Sequence, residues 1–452
     1  MPTTATPLPL RARVPGAASV RQETLGGRAV IVCELDGTRR HGALSEADGE
    51  TIAAAARMAL DQRLPLALIV ASSGADVHEG LAALAGWGRA ARALVACSGV
   101  VPLLAAVVGP AVSGPALLLG LADQVVMTED AYAFVSGPRM VREFTGVPIT
   151  NDALGGAATH ARSSGVASLV VPDRAAALEA IEDLLWYLPS STDELPARRA
   201  TDDPTDRAVP EAAELIPPSP TGSYDVRELT RILVDDGELL ELRSGWADNL
   251  VTALASVGGQ PVGIVANQPS RIAGTLDIPA SQKGARFVAF CDAFNLPIVT
   301  LVDTPGFYPG KDLEWRGMIR KGAQLAFAYA RATVPRVSIT LRKSYGGAYI
   351  VMDSKRMGND LALAWPSAQI AVMGAKGAVE ILHRRETDLR RRAELEADYE
   401  ARLLNPYVAA ERGLIDAVID PAETRRELAA ALELLASKRE RIVPRAHDNS
   451  PL

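Results

Sequence analysis

Ser-Tyr-Gly-Gly-Ala-Tyr, residues 344–349, joins a predicted buried strand to the start of a predicted helix through a glycine pair. The strand is expected over 337–341, where apolar and β-branched residues predominate. Glycine lets the backbone adopt a positive φ and approach a ligand closely. Consecutive N–H groups at the start of a helix have no partner inside it and point at one spot. The loop 345–348 therefore predicts an oxyanion hole built from backbone.

The first half of the chain carries a second copy of this plan. One predicted strand runs into residues 72–74 and another leads to 109–114, and the second half has the same order at 303–306 and 346–348. The glycines of the paired loops lie 40 residues apart in the first half and 41 in the second. Several matches in the same order predict a duplication. Two equivalent loops suit a reaction that polarises two carbonyl groups.

A polar segment at 191–223 separates the two copies. It is rich in Pro, Asp, Thr and Arg and has neither helical nor strand periodicity, so it is predicted to be an exposed linker. The predicted domains are therefore residues 1–190 and 224–452. Within both, short apolar strands alternate with helical stretches rich in Ala, Leu and Arg, the pattern of an α/β protein.

The composition narrows the class of protein. The chain has 452 residues and a formal net charge of −7, so nucleic acid and acidic membranes are disfavoured as main partners. Because no stretch offers about 18 uninterrupted apolar residues and no signal-type segment is recognised, a cytoplasmic location without membrane insertion is expected. Cys33, Cys97 and Cys291 lie far apart among apolar neighbours and are predicted to be reduced core residues.

The sequence lacks the signals of other catalytic machinery. The five histidines have no metal-ligand spacing, so no metal is expected. Neither a Gly-x-Ser-x-Gly elbow nor a Gly-Lys-Ser/Thr phosphate loop is present. The basic residues near the second loop, Arg320, Lys321, Arg342 and Lys343, are interpreted as a solvated helix face. Backbone polarisation is the mechanism that the residues support best.

The chain resembles the carboxyltransferase (β) subunits of biotin-dependent acyl-CoA carboxylases of the propionyl-CoA and acetyl-CoA type. In the second half the resemblance extends over nearly all of 224–452, and it is carried by 261–269, 303–310, 344–355, 373–379, 405–413 and 447–452. In the first half it is weaker and is carried by 72–80, 109–114, 134–138 and 155–167.

This resemblance implies a fold and a reaction. The fold is a duplicated crotonase-like (ClpP/crotonase) ββα superhelix of the α/β class, with acyl-CoA on the first half and biotin on the second. The reaction transfers the carboxyl group of carboxybiotin to the α-carbon of an acyl-CoA through an enolate. A biotinylated carrier or biotin carboxylase subunit is the implied partner. A homo-oligomer, hexameric by resemblance, or a hetero-oligomer is implied, with the first half of one subunit facing the second half of another.

The same resemblance implies roles for individual residues. The N–H groups of Gly347 and Ala348 are expected to hold the ureido oxygen of carboxybiotin, and those of Ser113 and Gly114 the thioester oxygen of the acyl-CoA. Further substrate-binding residues are expected beside the loops: Tyr345, Gly346 and Ile350 in the second half, and Gly74, Ala75, Gly109 and Pro110 in the first.

Three residues depart from the family pattern. Pro115 has no N–H, so only Ser113 and Gly114 are expected to donate from the first loop. Asp76 stands where the family has Arg, and its carboxylate is expected to repel a phosphate. Ile350 stands where propionyl-type members often carry Asp, which leaves open the acyl chain length. Whether the acyl group is held by CoA or a carrier protein is also open.

Two alternative functions are compatible with the altered first half. One is a biotin-independent decarboxylase of malonyl or methylmalonyl thioesters on the same fold. The other is a non-catalytic partner subunit of an active carboxyltransferase. None of the seven lysines follows a methionine in a biotinyl-lysine context, and no ATP-binding carboxylation domain is recognised. A biotinylated partner is therefore predicted.

Overall fold

The structure is a computed structural model that describes residues 9–10, 16–219, 221–438, 440, 442–444 and 449. The resemblance at 447–452 lies outside the described residues except for Asn449. The chain forms two compact units. The first comprises residues up to 196 together with 243–246, and the second comprises 197–242 and 247 onward.

The first unit is built on an eight-stranded sheet. Its strands are β1 (Pro9–Leu10), β2 (Ala18–Leu25), β3 (Arg28–Leu35), β4 (Leu66–Ser72), β5 (Leu103–Val112), β6 (Gln124–Thr128), β7 (Tyr132–Phe134) and β8 (Leu169–Val171). Its helices are α1 (Glu46–Gln62), α2 (Leu81–Cys97), α3 (Gly114–Leu119), α4 (Pro138–Thr145), α5 (Asn151–Gly155), α6 (Ala157–Thr159) and α7 (Arg174–Tyr187), with a 3₁₀ turn at Arg40–Gly42 and a π turn at His160–Ser164.

Parallel strands at the centre of this sheet bring the loops together. The order is β1-β2-β3-β4-β5-β6-β8, with β7 paired to β5 beyond the main path. Strands β3, β4, β5 and β6 are mutually parallel, so β4 and β5 end at the same edge. Helices α1 and α2 pack closely against each other, since a Cβ on Gly49 would lie 2.1 Å from the Gly86 carbonyl oxygen. Only glycine permits this approach, because any side chain would collide with backbone.

The second unit repeats the architecture with a second eight-stranded sheet. Its strands are β9 (Leu240–Glu241), β10 (Leu250–Val257), β11 (Gln260–Asn267), β12 (Ile298–Thr304), β13 (Arg336–Tyr345), β14 (Leu361–Ala364), β15 (Gln369–Ala371) and β16 (Ala417–Val418). Its α-helices are α8 (Glu211–Leu215), α9 (Val226–Leu233), α10 (Ile278–Ala293), α11 (Lys311–Trp315), α12 (Met318–Arg331), α13 (Gly346–Val351), α14 (Ala375–Leu382), α15 (Leu389–Leu403), α16 (Pro406–Glu411) and α17 (Thr424–Leu435). The 3₁₀ turns are Asp235–Gly237, Ile272–Gly274, Lys355–Met357 and Pro421–Glu423.

The two sheets agree strand by strand, which confirms the predicted duplication. The order β16-β14-β13-β12-β11-β10-β9, with β15 paired to β13, mirrors that of the first unit. Strand β4 pairs with β5 through Ser72 and Ala111 after a register shift, and β12 pairs with β13 through Thr304 and Ser344 after the same irregularity. Each pair therefore ends in the same local distortion at the loop-bearing edge.

The predicted linker at 191–223 is only partly exposed. Val209, Ala212 and Ile216 are buried and belong to the hydrophobic core of the second unit, and α8 lies within the segment. Their spacing of three and four residues is that of one helix face. The abundant prolines and charges around them obscured this signal. The exposed-linker expectation is therefore corrected for this part of the segment.

All three cysteines are buried and unpaired. Burial raises the pKa of the Cys33 thiol to about 12 and that of Cys97 to about 11, so both carry protons at neutral pH. Within the described ranges, no helix has the length and apolar character needed to cross a membrane.

Candidate active site

The predicted loop of the second unit lies where β13 meets α13. Tyr345 ends the strand and Gly346 begins the helix with φ +59°, a conformation that glycine adopts without strain. The N–H groups of Gly347 and Ala348 fall in the first helical turn, where no intrahelical acceptor exists. Gly347 is exposed and Ala348 is buried. The loop therefore presents two adjacent backbone donors beside an accessible surface.

Two aromatic side chains shape this loop. A Cβ on Gly347 would lie 3.2 Å from Cε2 of the Phe307 ring, so the glycine lets the ring pack against the donors. The Tyr345 hydroxyl donates to Oε1 of Gln369, and burial raises the pKa of Tyr345 to about 12. Tyr345 is thus a neutral, anchored side chain, unsuited to serve as a base at neutral pH.

A buried carboxylate, Asp303, supports the same loop. Its Oδ1 accepts the Lys343 N–H at 3.1 Å, and its Oδ2 accepts the Arg342 Nε at 3.1 Å and the Tyr224 hydroxyl at 3.0 Å. Burial raises the pKa of Asp303, and the charge of Arg342 opposes that rise. Asp303 ends the run of apolar residues in β12, so a partner for it was foreseeable, since buried charges are paired. Which residues pair with it depends on the sheet.

Arg342 corrects the interpretation of a solvated helix face. It lies on β13 and is buried, with its Nη1 donating to the carbonyl oxygens of Ser219 at 3.2 Å and Gly222 at 2.8 Å. The neighbouring Lys343 is on the same strand and is half-buried. Strand residues alternate between the two sheet faces, so adjacent basic residues there do not share one solvated face.

The corresponding loop of the first unit differs in its donors. Ser113 has φ +59°, the same value as Gly346, but its N–H donates to the Phe134 carbonyl oxygen at 2.8 Å. The expected role of the Ser113 N–H as a donor to substrate therefore conflicts with this bond. Gly114 follows in the first turn of α3, and Pro115 has no N–H. Among the residues that the structure describes, the Gly114 N–H is thus the one donor of this loop without an acceptor.

Trp87 fixes the Gly114 peptide. The indole Nε1 donates to the Gly114 carbonyl oxygen at 2.7 Å, and a Cβ on Gly114 would lie 2.8 Å from the indole Cδ1. This side chain had no recognisable signal in the sequence, because it reaches the loop from α2.

A second donor in the first unit comes from the loop that follows β4. The Gly74 carbonyl accepts the Leu44 N–H at 2.8 Å, and Asp76 donates its own N–H to Leu44 at 2.9 Å. Between them, the Ala75 N–H has no acceptor among the described residues. A Cβ on Gly74 would lie 3.8 Å from the Ser113 Cβ, so the two loops are in contact.

Asp76 does not carry the uncompensated charge expected from the sequence. Its side chain is only 3% exposed, forms an ion pair with Arg40 and accepts the His78 N–H at 3.0 Å. The expectation of a bare carboxylate repelling a phosphate is therefore corrected, because the partner cation neutralises it. Arg40 lies 36 residues away in sequence.

Three other expected residues occupy different settings. Gly109 and Pro110 lie within β5, and a Cβ on Gly109 would be 3.3 Å from the Ala71 Cβ, so this glycine serves strand packing. Ile350 is 49% exposed on α13, one turn from the donors. Among the residues that the structure describes, no group of three or more histidine, cysteine or acidic side chains is arranged to hold a metal.

Comparisons with known proteins agree with the geometry. A family model described as the carboxyl transferase domain matches residues 23–450. The propionyl-CoA carboxylase beta chain of Saccharopolyspora erythraea is 44% identical over 447 residues, covering 95% of this chain and 82% of the relative. The methylmalonyl-CoA carboxyltransferase 12S subunit of Propionibacterium freudenreichii subsp. shermanii is 42% identical over 434 residues, with the same two coverages.

Solved structures give the same result. A transcarboxylase 12S crystal structure, described as a hexamer with methylmalonyl-coenzyme A and methylmalonic acid bound, superposes with a TM-score of 0.94 at 41% identity. It covers 96% of this chain and 85% of that one. A single-chain, multi-domain long-chain acyl-CoA carboxylase matches with a TM-score of 0.79 at 30% identity, over 92% of this chain and 41% of that protein.

Proposed function

The chain belongs to the carboxyl transferase domain family, and we propose that it is the subunit that transfers a carboxyl group from carboxybiotin, held by a partner protein, to the α-carbon of an acyl-CoA. The observation that carries this function is the pair of equivalent strand-to-helix loops, each with a backbone N–H donor that has no acceptor among the described residues. Two carbonyl groups change charge in such a transfer, and each loop serves one of them.

We assign the binding of carboxybiotin to the second unit. The Gly347 and Ala348 N–H groups donate to the ureido oxygen, which gains negative charge as the carboxyl group departs. Each such donor typically contributes about 2.7–4 kcal/mol of transition-state stabilisation. Gly346 and Tyr345 hold the backbone of this loop in place. The site needs no ionised side chain, because backbone N–H groups supply the positive ends of its dipoles.

The first unit receives the acyl-CoA thioester. Because the Ser113 N–H is engaged with Phe134, the Gly114 N–H and the Ala75 N–H are the two donors that we assign to the thioester oxygen. They come from adjoining loops at the edge where the parallel strands β4 and β5 end. This pair of donors replaces the consecutive pair, Ser113 and Gly114, that was expected from the sequence. The missing N–H of Pro115 then removes no donor from the site.

The carboxyl transfer follows from these two sites. When bound, carboxybiotin supplies CO2 by cleavage of its N–C bond and leaves an anion that accepts the α-proton of the acyl group. The first loop holds the negative charge of the resulting enolate oxygen, and the α-carbon forms the new C–C bond to CO2. By the family resemblance, Ile350 is the residue that we assign to the lining of the acyl pocket.

Exposed apolar side chains near both loops support an assembly of several copies. Val77 and Leu81 follow the loop after β4 that carries Ala75 and are 84% and 81% exposed, and Trp315 and Ile319, on α11 and α12 of the second unit, are 75% and 84% exposed. Exposed apolar patches of this kind mark interaction surfaces. Pairing the first unit of one copy with the second unit of another would cover both sets and bring the two substrates together.

Methylmalonyl-CoA or malonyl-CoA, incubated with the purified chain with and without biocytin, tests the function. The expected result is carboxylation of biocytin and formation of propionyl-CoA or acetyl-CoA only when biocytin is present. Equal loss of CO2 without biocytin would instead establish the biotin-independent decarboxylase. No turnover together with no CoA binding would point to the non-catalytic partner subunit.

A further inference from the structure

A buried ion pair joins the two ends of the strand and helix that carry the biotin-side donors. Arg336 is the first residue of β13, and Asp353 lies two residues beyond the end of α13. The Arg336 Nη1 donates to Oδ1 of Asp353 at 2.7 Å, and the two side chains are 2% and 0% exposed. The pair therefore ties the start of the strand to the end of the helix, on either side of Gly347 and Ala348.

Further hydrogen bonds hold both members of this pair. The Arg336 Nη2 donates to the Gly358 carbonyl oxygen, and the Arg336 backbone N–H donates to Oδ2 of Asp360 at 2.8 Å. On the other side, Oδ2 of Asp353 accepts the Asn359 Nδ2 at 2.8 Å. Each carboxylate oxygen of Asp353 thus has its own donor, so the segment that follows α13 is fixed against the base of β13.

The first unit forms the same strand, loop and helix without an ion pair at these positions. Leu103 begins β5 as Arg336 begins β13, ten residues before the position with φ +59° in each unit. Gly120 and Asp353 lie seven residues after that position. Because leucine and glycine carry no charge, this architecture does not require an ion pair. A role that belongs to the second unit alone is therefore needed to explain it.

Stability does not explain the charges of the pair. Burial raises the pKa of Asp353 to about 6, although the charge of Arg336 and the hydrogen bond from Asn359 lower it. The other charges that act on Asp353 are those of Asp360 and Lys438, which form an ion pair with each other at 2.8 Å. An acid whose pKa is higher in the folded than in the unfolded state lowers the stability of the fold once it is ionised. Buried ion pairs are also often less stabilising than apolar residues of similar volume.

We propose that Arg336 and Asp353 are positioning residues for carboxyl transfer, whose ion pair fixes α13 so that the Gly347 and Ala348 N–H groups point at one oxygen. This inference rests on the proposed function. Helix α13 has six residues and is about 9 Å long, so a shift at its far end reaches the donors. Oxyanion donors act through preorganised geometry, and a misplacement of about 1 Å can lower a rate by about 100-fold.

Replacing the pair by the residues of the first unit tests this role. The double variant is Arg336→Leu/Asp353→Gly, in which glycine adopts the φ of +54° at 353 without strain. In the carboxylation of biocytin from methylmalonyl-CoA, its kcat is expected to fall by about tenfold to 100-fold. The KM for methylmalonyl-CoA is expected to stay unchanged, because the thioester binds to the first unit. Asp353→Asn, which also tolerates a positive φ, is expected to lower kcat and replaces the double variant if that chain does not fold.

Amide hydrogen exchange gives a second readout that does not require turnover. The Met352 N–H donates to the Ala348 carbonyl oxygen at 3.0 Å and so reports on the order of α13. Both variants are expected to exchange faster than the parent chain within 346–352 and at the same rate within 113–119 of the first unit. A general loss of stability would instead increase exchange in both segments.

The matched control is Arg227→Leu/Glu241→Gln, which removes a partly buried ion pair between α9 and β9. It is expected to leave kcat and the exchange of 346–352 unchanged. An unchanged kcat in a variant of Arg336 or Asp353 that keeps its melting transition would overturn the proposal, and so would an equal loss of kcat in the control. A parent chain without turnover would refute the proposed function itself. Unaltered exchange within 346–352 in the variants would then overturn the positioning role separately.

Discussion

The Ala348→Pro substitution isolates one backbone donor of the biotin-side loop. Ala348 is the third residue of α13, so its N–H has no partner in the helix, and proline removes that N–H without breaking a helical bond. The fold already holds a proline at the equivalent place, because Ser113 and Gly346 share φ +59° and Pro115 lies two residues after Ser113.

The expected effects on rate and stability differ in size. Loss of one oxyanion donor lowers kcat by about 100- to 1,000-fold, equivalent to about 2.7–4 kcal/mol of transition-state stabilisation. Ala348 is fully buried, so the two added ring carbons have an overpacking cost of about 1–3 kcal/mol in the free energy of unfolding. A chain that keeps its melting transition but loses turnover therefore identifies the N–H as the missing element.

Carboxylation of biocytin from methylmalonyl-CoA is the assay, and Ala348→Gly, which keeps the N–H, is the matched control. The control is expected to retain most of the activity. If Ala348→Pro folds and its kcat stays within a few-fold of the parent, the assignment of Ala348 is refuted. The second donor would then be the Phe307 N–H, the counterpart of Ala75, and both units would use the same geometry.

Three further substitutions test the remaining features. Gly114→Ala places a Cβ 2.8 Å from the indole of Trp87 and is expected to lower the free energy of unfolding by about 1–3 kcal/mol, measured by urea denaturation; an unchanged midpoint would contradict the close packing. Asp303→Asn leaves the Arg342 guanidinium buried without its carboxylate. The variant is expected to lose about 3–5 kcal/mol of its free energy of unfolding and to have a lower kcat. The same loss of stability with an unchanged kcat would show that Asp303 does not position the loop. Burial raises the pKa of Asp353 from 3.8 to about 6, so the folded state binds the Asp353 proton more tightly than the unfolded state does. The contribution of this proton to the free energy of unfolding is complete below about pH 4 and is lost as pH rises through about 6. Asp353→Asn should flatten this part of the stability profile, and an unaltered profile would rule out that titration.

The duplicated architecture could be predicted from local sequence because the loops depend on local chemistry. Glycine at 346 adopts its φ of +59° without strain, and single or paired glycines follow buried apolar strands in both halves, at 74 and 114 and at 306 and 346–347. The helical segment and the single strand that separate the two loops have nearly the same length in both units, so the number of residues between the loops can be compared along the chain. For this reason, the fold class and the biotin-side loop could be predicted from the sequence.

The donors of the first unit were harder to predict from the sequence. Whether each N–H is free to bind substrate depends on contacts between residues that are distant along the chain. The Ser113 N–H is taken by Phe134, which reaches it only because β7 pairs with β5. Asp76 is neutralised by Arg40 from a separate turn. A sequence shows that a charge or a donor exists, whereas the sheet decides what faces it. Likewise, Arg342 resembled a surface residue until β13 placed it in the interior.

The concealment of Cys33, Cys97 and Cys291 has a practical consequence for labelling experiments. No thiol of this chain is available to a maleimide while the protein is folded, because all three sulfur atoms are buried and the pKa values of their thiols are raised. A single cysteine introduced at Ile350, which is half exposed one turn from the biotin-side donors, would therefore take up a fluorophore alone. The parent chain already provides the background needed to follow the arrival of a biotinylated partner in real time.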